Sequence, residues 1–415
     1  MMKEVRFLCW GLVFISLLGY AQLRDEGASF DDPVNVSKNL NRIETQPVIA
    51  VDKNNVVHVA WSGQYLKAGA PDGMASDIFY ANNKGGRFST PVKIGVPTDW
   101  YSREPTIAVD SRGNVHIVFR RSIREATPWS EDDIYYATSK DKFKKPVRII
   151  DGKYDIEKWE SVSGPDQPLI HLDNQDHLYL TIYATGFKKE MNGTDHILHM
   201  NNVQGAWSSP QVAAKKQSIN EVIEEYRSAL DRNKKWHIII GCNFGDYFYT
   251  NNRGGTFAKR IRVAPKEHYA MEGDLAVDGS GKAHVVYRGS TPHAKIIYVN
   301  NTSGSFRGHR AVCDDLNPYS HPSIAFDKAG FIHITYRRFP FYGGELYYGN
   351  NIGGRFKFEL YDVISGYWGR GSRYAALGAS SSIHIAYWNW RGDLYESDTD
   401  VFYVKGEYKT ASKTP

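Results

Sequence analysis

Cysteine is scarce in this chain, with 3 among 415 residues. A scaffold stapled by several disulfides is therefore excluded. Long apolar runs are also missing. The longest, Phe7–Leu18, is too short for a confident membrane span, and no later segment qualifies. No basic run is present, and the net charge is only +5. Nothing in the chain is built to track a phosphate backbone, which argues against nucleic acid as a partner. Hydrophobic residues at 41% and charged residues at 23% exclude a disordered chain. What is abundant is aromatic: 27 Tyr, 10 Trp and 19 Phe. Tyr and Trp stack on flat or amphipathic ligands while keeping a polar tip. The small positive excess suits an acidic polymer.

Lys3 and Arg6, the apolar run, and Gly19-Tyr20-Ala21 together read as a secretory signal peptide of residues 1–21, cleaved before Gln22. This predicts a secreted or periplasmic protein with no membrane insertion. Cys9 leaves with the signal, and no cysteine sits at the cleavage point to carry a lipid. The mature chain, 22–415, is expected to form a single domain and a monomer.

The chain repeats itself seven times. The first unit reads Gln46-Pro47-Val48-Ile49-Ala50-Val51-Asp52, a turn, then His58-Val59-Ala60-Trp61. The others are anchored at Asp110 and His116, Asp173 and Tyr179, Asp231 and His237, Asp278 and His284, Asp327 and His333, and Gly378 and His384. Most units continue with a Tyr-rich strand, a turn such as Asn82-Asn83-Lys84-Gly85-Gly86-Arg87-Phe88, and a fourth short strand. Each unit thus reads as four short strands with period-2 alternation. A lone four-stranded sheet leaves both faces wet, and radial stacking buries them. The expected fold is an all-β, seven-bladed β-propeller of four-stranded antiparallel blades. The segment 22–41 is expected to help close the ring.

The repeat separates scaffold from candidates. Histidine recurs at one place in six blades (His58, His116, His237, His284, His333, His384), and the anchor Asp recurs likewise. A recurring residue serves packing and turns rather than one asymmetric site. Departures from the repeat are the candidates. His171 stands where the other blades have Ala50, Ala108, Ala229, Ala276, Ala325 and Ala376. His196 opens a third strand where sister blades carry Asp77, Asp133, Asp246 or Glu345. Tyr226 and Arg227 replace Pro47 and Val48. Tyr247, Arg288, Glu104, Arg120, Arg337 and Tyr269 fall at strand ends on the same face. We expect His171, His196, Tyr226 and Tyr247 as acid–base groups and Arg227 and Arg288 as carboxylate neutralisers. Glu104, Arg120, Tyr269 and Arg337 are expected substrate contacts.

The turns, best seen in Thr250-Asn251-Asn252-Arg253-Gly254-Gly255-Thr256-Phe257, look like degenerate Asp-boxes of sialidase-like (BNR-repeat) propellers. With its Ile-Ala-Val-Asp and Val-His-Ile-Val-Phe repeats, the chain resembles the secreted, seven-bladed ulvan lyases of marine bacteria. That resemblance implies β-elimination of a sulfated, uronic-acid-containing polysaccharide, with His and Tyr as acid–base groups and an Arg near the uronate. The chemistry agrees with the candidate residue types. Elimination needs a cation on the carboxylate, a base for the C5 proton and an acid for O4. A glycosidase instead needs a carboxylate pair, and among Glu104, Asp132, Asp133, Glu160, Glu225, Glu272 and Asp274 no pair is marked by spacing. A sialidase-like hydrolase and a non-catalytic sugar-binding propeller remain alternatives.

The repeat register also puts Cys242, His268, His293 and Cys313 on one face of neighbouring blades, with His321 as a substitute for His293. Two Cys and two His suit a structural, tetrahedral zinc. A Cys242–Cys313 disulfide and two unrelated cysteines are the alternatives.

Overall fold

The computed structural model describes residues 28–408 apart from 39–41, 67–73, 96–100, 123–131, 153–161, 164–165, 188–194, 219, 244, 291–294, 314–318, 339–343, 353, 365–374, 378–381 and 391–398. The expected signal segment 1–21 lies outside the described residues. So do His293 and most links on the face where the candidates gather.

The chain folds as a seven-bladed β-propeller. Numbered in chain order, the blades span 43–94, 101–150, 166–215, 223–262, 271–311, 319–364 and 375–408. Each is antiparallel within itself. First strands lie side by side in cyclic order, from the first blade round to the seventh and back to the first. Seven apolar cores fill the seven junctions, one between each pair of neighbouring blades. Among the described residues the only helical pieces are short 3-10 turns such as Ser139–Asp141 and Lys266–His268.

Closure uses the N-terminal segment. Ala28–Phe30 and Val34–Asn35 pair antiparallel with Thr399–Tyr408 and supply the outer strand of blade seven. Asn35 Nδ2 and Ser37 Oγ donate to the two oxygens of Asp400, each at 2.7 Å. Joining the N-terminal segment to the last strand in one sheet closes the ring.

The repeated residues have repeated roles. Asp52 Oδ1 accepts from the amides of Asn54 and Val56, and Asp110, Asp173, Asp231 and Asp278 hold their turns in the same way. The second Asn of the Asn-Asn turn (Asn83, Asn202, Asn252, Asn301, Asn351) accepts the first amide of the second strand at 2.7–2.8 Å. Each of the six recurring histidines meets a tyrosine hydroxyl through Nδ1 at 2.6–2.7 Å. In five blades Nε2 faces the anchor Asp at 3.3–3.9 Å. These rings are thus flanked by a phenol at Nδ1 and, in the five blades, by the anchor carboxylate beyond Nε2.

Candidate active site

Six residues ahead of the anchor Asp, the first strands carry Gln46, Glu104, Gln167, Glu225, Glu272 and His321. The following residue is proline in blades one, two, three and six and Gly273 in blade five. Proline offers no amide to the ladder, and the register shifts at these points. The resulting bulges hold Gln46, Glu104, Gln167, Glu272 and His321 at φ of 47–54°. Bulges with left-handed, non-glycine residues persist only where tertiary bonds hold them. Those bonds run from blade to blade. Glu104 N donates to Gln46 Oε1 at 3.0 Å, Gln167 N to Glu104 Oε2 at 3.1 Å, and His321 N to Glu272 Oε2 at 3.2 Å. Glu272 N donates to Glu225 Oε1. The starts of the first strands thus form a polar entry ring at one end of the axis.

Two ionic units stand on this ring. The first joins blades four, five and six. Arg288 Nη1 lies 3.4 Å from Glu272 Oε1, and His321 Nδ1 lies 4.0 Å from Glu272 Oε2. Arg288, Glu272 and His321 are all partly exposed. Behind them Tyr247 donates to Glu225 Oε1 at 2.6 Å and accepts from Gly273 N at 2.7 Å. Burial, with Glu225 beside it, drives its phenol well above the usual range. A Cβ on Gly273 would stand 2.7 Å from that ring, and one on Gly241 2.8 Å. The two glycines therefore shape the slot. Arg227 donates to Tyr226 O at 2.7 Å. Burial works against its charge, but Glu225 and Asp274 hold the guanidinium firmly protonated.

The second unit joins blades two and three. Arg120 Nη1 lies 2.8 Å from Asp166 Oδ1 and 3.4 Å from Glu104 Oε1, and Nη2 lies 2.8 Å from Asp132 Oδ2. Three carboxyls share one guanidinium. Burial first, then the neighbouring Asp166, pushes the Glu104 carboxyl well above the usual carboxylate range. For Asp166 burial is outweighed by the hydrogen bond with Glu104 and by Arg120, which hold it low.

The entry ring gathers five of the expected residues, Glu104, Arg120, Arg227, Tyr247 and Arg288. Tyr226 is a tie instead: its buried hydroxyl donates to Gln167 O at 2.6 Å, joining blades four and three. His171 meets Ser228 Oγ at 2.9 Å and stands edge-on to Trp236. Ser228 replaces the Ile or Leu of most sister blades, and the imidazole fills the room so left. His196 is fully buried in the third strand of blade three. Arg337 is buried over Trp388. Tyr269 is 53% exposed. Asp166 escaped the sequence reading, Glu272 entered it only as one of several loop carboxylates, and His321 only as a substitute metal ligand. The register shared by Glu272 and His321, six ahead of the anchor Asp, was the signal available for those two.

The cysteines lie apart. Cys242 belongs to the core between blades three and four, where Arg260 Nη1 points at its sulfur from 3.6 Å. Cys313 packs against the core between blades five and six and accepts from Ile296 N at 3.2 Å. Neither is in a disulfide. His268 Nδ1 meets Tyr287 Oη at 2.7 Å. Among the described residues no three His, Cys, Asp or Glu gather as metal ligands.

No family model matches the chain, and no curated protein does. Solved structures do. A Dyadobacter fermentans protein of unknown function is 9% identical, with a TM-score of 0.53 over 92% of this chain and 100% of that one. An ulvan lyase of polysaccharide lyase family PL25, solved with -[GlcA(1-4)Rha3S]- bound, is 12% identical, with a TM-score of 0.52 over 87% and 92%. The polysaccharide lyase Uly1 is 13% identical, with a TM-score of 0.52 over 87% and 89%. The likeness is one of fold. This chain shares its propeller with polysaccharide lyases.

Proposed function

We propose that this protein is a secreted polysaccharide lyase that cleaves a uronic-acid-containing, sulfated polysaccharide by β-elimination at the entry ring. The observation that carries the reading is the pairing of Arg288 and His321 on one carboxylate, Glu272, where all three meet solvent. A guanidinium matches a uronate carboxylate in charge and in fork geometry. Neutralising that carboxylate makes the C5 proton removable, and an imidazole titrates in the range a general base needs. Glu225, itself fixed by the Tyr247 hydroxyl, holds Glu272 in place from behind through the Glu272 amide. The fold shared with an ulvan lyase supports the same substrate class.

The Glu104–Asp166 pair does not favour a hydrolase. A glycosidase needs its carboxyls about 5 Å or more apart, flanking the scissile bond. Here both acids sit on the same nitrogen, Arg120 Nη1, at 3.4 and 2.8 Å, which gathers them on one cation rather than on two sides of a sugar.

The test is incubation with ulvan and other uronic polysaccharides. A lyase releases products with the ultraviolet absorbance of a conjugated unsaturated uronate. Arg288→Ala should lower turnover by about 100- to 1,000-fold, the range for loss of one charge-stabilising donor. New reducing ends without absorbance would replace this reading with hydrolysis. Binding without either signal would make the protein a lectin.

A further inference from the structure

We infer that Tyr269, held out at the junction of blades four and five beside the Arg288–Glu272 pair, is a stacking platform for the sugar next to the uronate. The inference rests on the lyase reading above for the uronate's seat. It assigns the neighbouring position to a pyranose ring that presents its C–H face.

Exposure is the first argument. The chain has 27 Tyr, 10 Trp and 19 Phe. Among the described residues Tyr269 is the single exposed aromatic side chain, at 53%. A ring left in water adds little to the fold, since its gain comes from burial. Tyrosines gather where one side of a contact is apolar and the other wet. A pyranose is such a partner, with C–H groups on its faces and hydroxyls around its edge.

The backbone is the second. Tyr269 ends the turn Lys266–His268 at φ 44° and ψ 59° and donates its amide to Lys266 O at 3.2 Å. A left-handed cap suits glycine or asparagine and strains a bulky residue. The chain places a large aromatic there and pins it on both sides. Ala270 N donates to Gly245 O at 3.3 Å, and a Cβ on Gly245 would stand 3.0 Å from Tyr269 Cα. His268 is tied through Nδ1 to Tyr287 Oη at 2.7 Å. Strain that neighbours enforce in this way gathers at ligand sites.

Position is the third. Met271 and Arg288 are partners in the blade-five ladder, and Ser290 N donates to His268 O at 2.7 Å. Tyr269 lies between these two ties. It is two residues from the partner of Arg288, at most about 7 Å along the chain, and three residues before Glu272. Platform and carboxylate seat therefore share one strand pair at one junction. A chain whose uronate sits on Arg288 brings its next sugar within reach of the ring.

Tyr269→Gly tests this without endangering the fold, because glycine is the residue the φ favours. Its melting curve should be unchanged or shifted upward. Affinity is read as retardation in native gels cast with ulvan and run in the cold, and Michaelis constants come from initial rates on the same polymer. Tyr269→Gly should lose about 10-fold in both, with turnover at saturation within about 3-fold of wild type, as for a contact made equally in ground and transition states. Tyr269→Trp keeps the aromatic face and should stay within about 3-fold of wild type throughout. High salt should leave the loss in place, since stacking is not screened as charges are. A glycine variant that binds like wild type would overturn the inference. So would a tryptophan variant as weak as the glycine one, a loss that salt abolishes, or a wild type that ulvan does not retard. Retardation that falls in the glycine variant, with no unsaturated product from wild type, would support the platform and overturn the lyase reading alone.

Discussion

Blade two and blade five place the same two residue types at the same two registers. Glu104 faces Arg120 at 3.4 Å, and Glu272 faces Arg288 at 3.4 Å. Their surroundings set them apart. Around Arg120 stand Asp166 and Asp132 as well, so the unit has more carboxyl than guanidinium and keeps a proton. Among the described residues, Arg288 faces one carboxylate, with the imidazole of His321 beside it, so that unit is rich in cationic donors. One ancestral-looking pair, copied twice by the repeat, has been turned into an acid store and an anion seat by its neighbours alone. The backbone provides equivalent positions, and charge balance decides what each can do.

Acid should produce the largest effect, and it acts on the scaffold that both units share. Burial pulls His58 and His384 from 6.5 to about 4, and lowers His116, His237, His284 and His333 as well. These rings are neutral when folded and protonate when unfolded, so the unfolded chain binds more protons below pH 6.5. Stability is then full above pH 6.5 and is lost as pH falls toward 4. For His58 alone the loss is on the order of 3 kcal/mol, a large part of a total of about 5–15 kcal/mol. Thermal melts from pH 7 to 4 should show a steep cooperative fall in Tm. A flat profile would mean that the rings are solvated. Any comparison of the two units belongs above pH 6.5.

Next come the two arginines. Arg120→Ala strands three carboxyls in a half-buried site, and removing one partner of such a pair costs about 3–5 kcal/mol. Arg288→Ala leaves a single, partly exposed Glu272, and the loss should stay within about 1 kcal/mol. Denaturant melts at pH 7 would read the difference. Equal losses would erase the distinction drawn between the units.

The scaffold was legible in the sequence because it repeats. Asp, His and Asn at fixed spacing do in most blades what the spacing suggests, and errors in one blade are corrected by the others. The entry ring was legible only in part. Glu104, Arg120 and Arg288 stood out as charges, but their partners come from neighbouring blades and are aligned by bulges. Asp166 reaches Arg120 across a junction, 46 residues away in sequence. His171 departed from the repeat for a local reason, a small Ser228 in the next blade. The proposed Cys–His set shared a face but not a junction. Register along the chain fixes height on the propeller, and it does not fix which side of a blade a side chain takes. Closure by 28–35 was expected in kind, while its pairing with the last strand became visible only in three dimensions.

The last effect lies on the alkaline side, where it isolates the acid store. Glu104 is raised when folded, the opposite of the usual carboxylate case. The unfolded chain releases this proton near pH 4.5, while the folded protein keeps it at neutral pH and gives it up only as pH climbs further. Its contribution to stability is therefore largest at low pH and declines as pH rises, because the folded state binds more protons than the unfolded one. Gln carries no proton to lose. Glu104→Gln should thus gain stability relative to wild type between pH 5 and pH 9, by about 1.4 kcal/mol for each unit by which the folded value is raised. The slope would flatten once Glu104 ionises in the folded wild type. Urea melts of the two proteins at matched pH would measure it, and a difference independent of pH would show that Glu104 is ionised throughout and that the two units are alike.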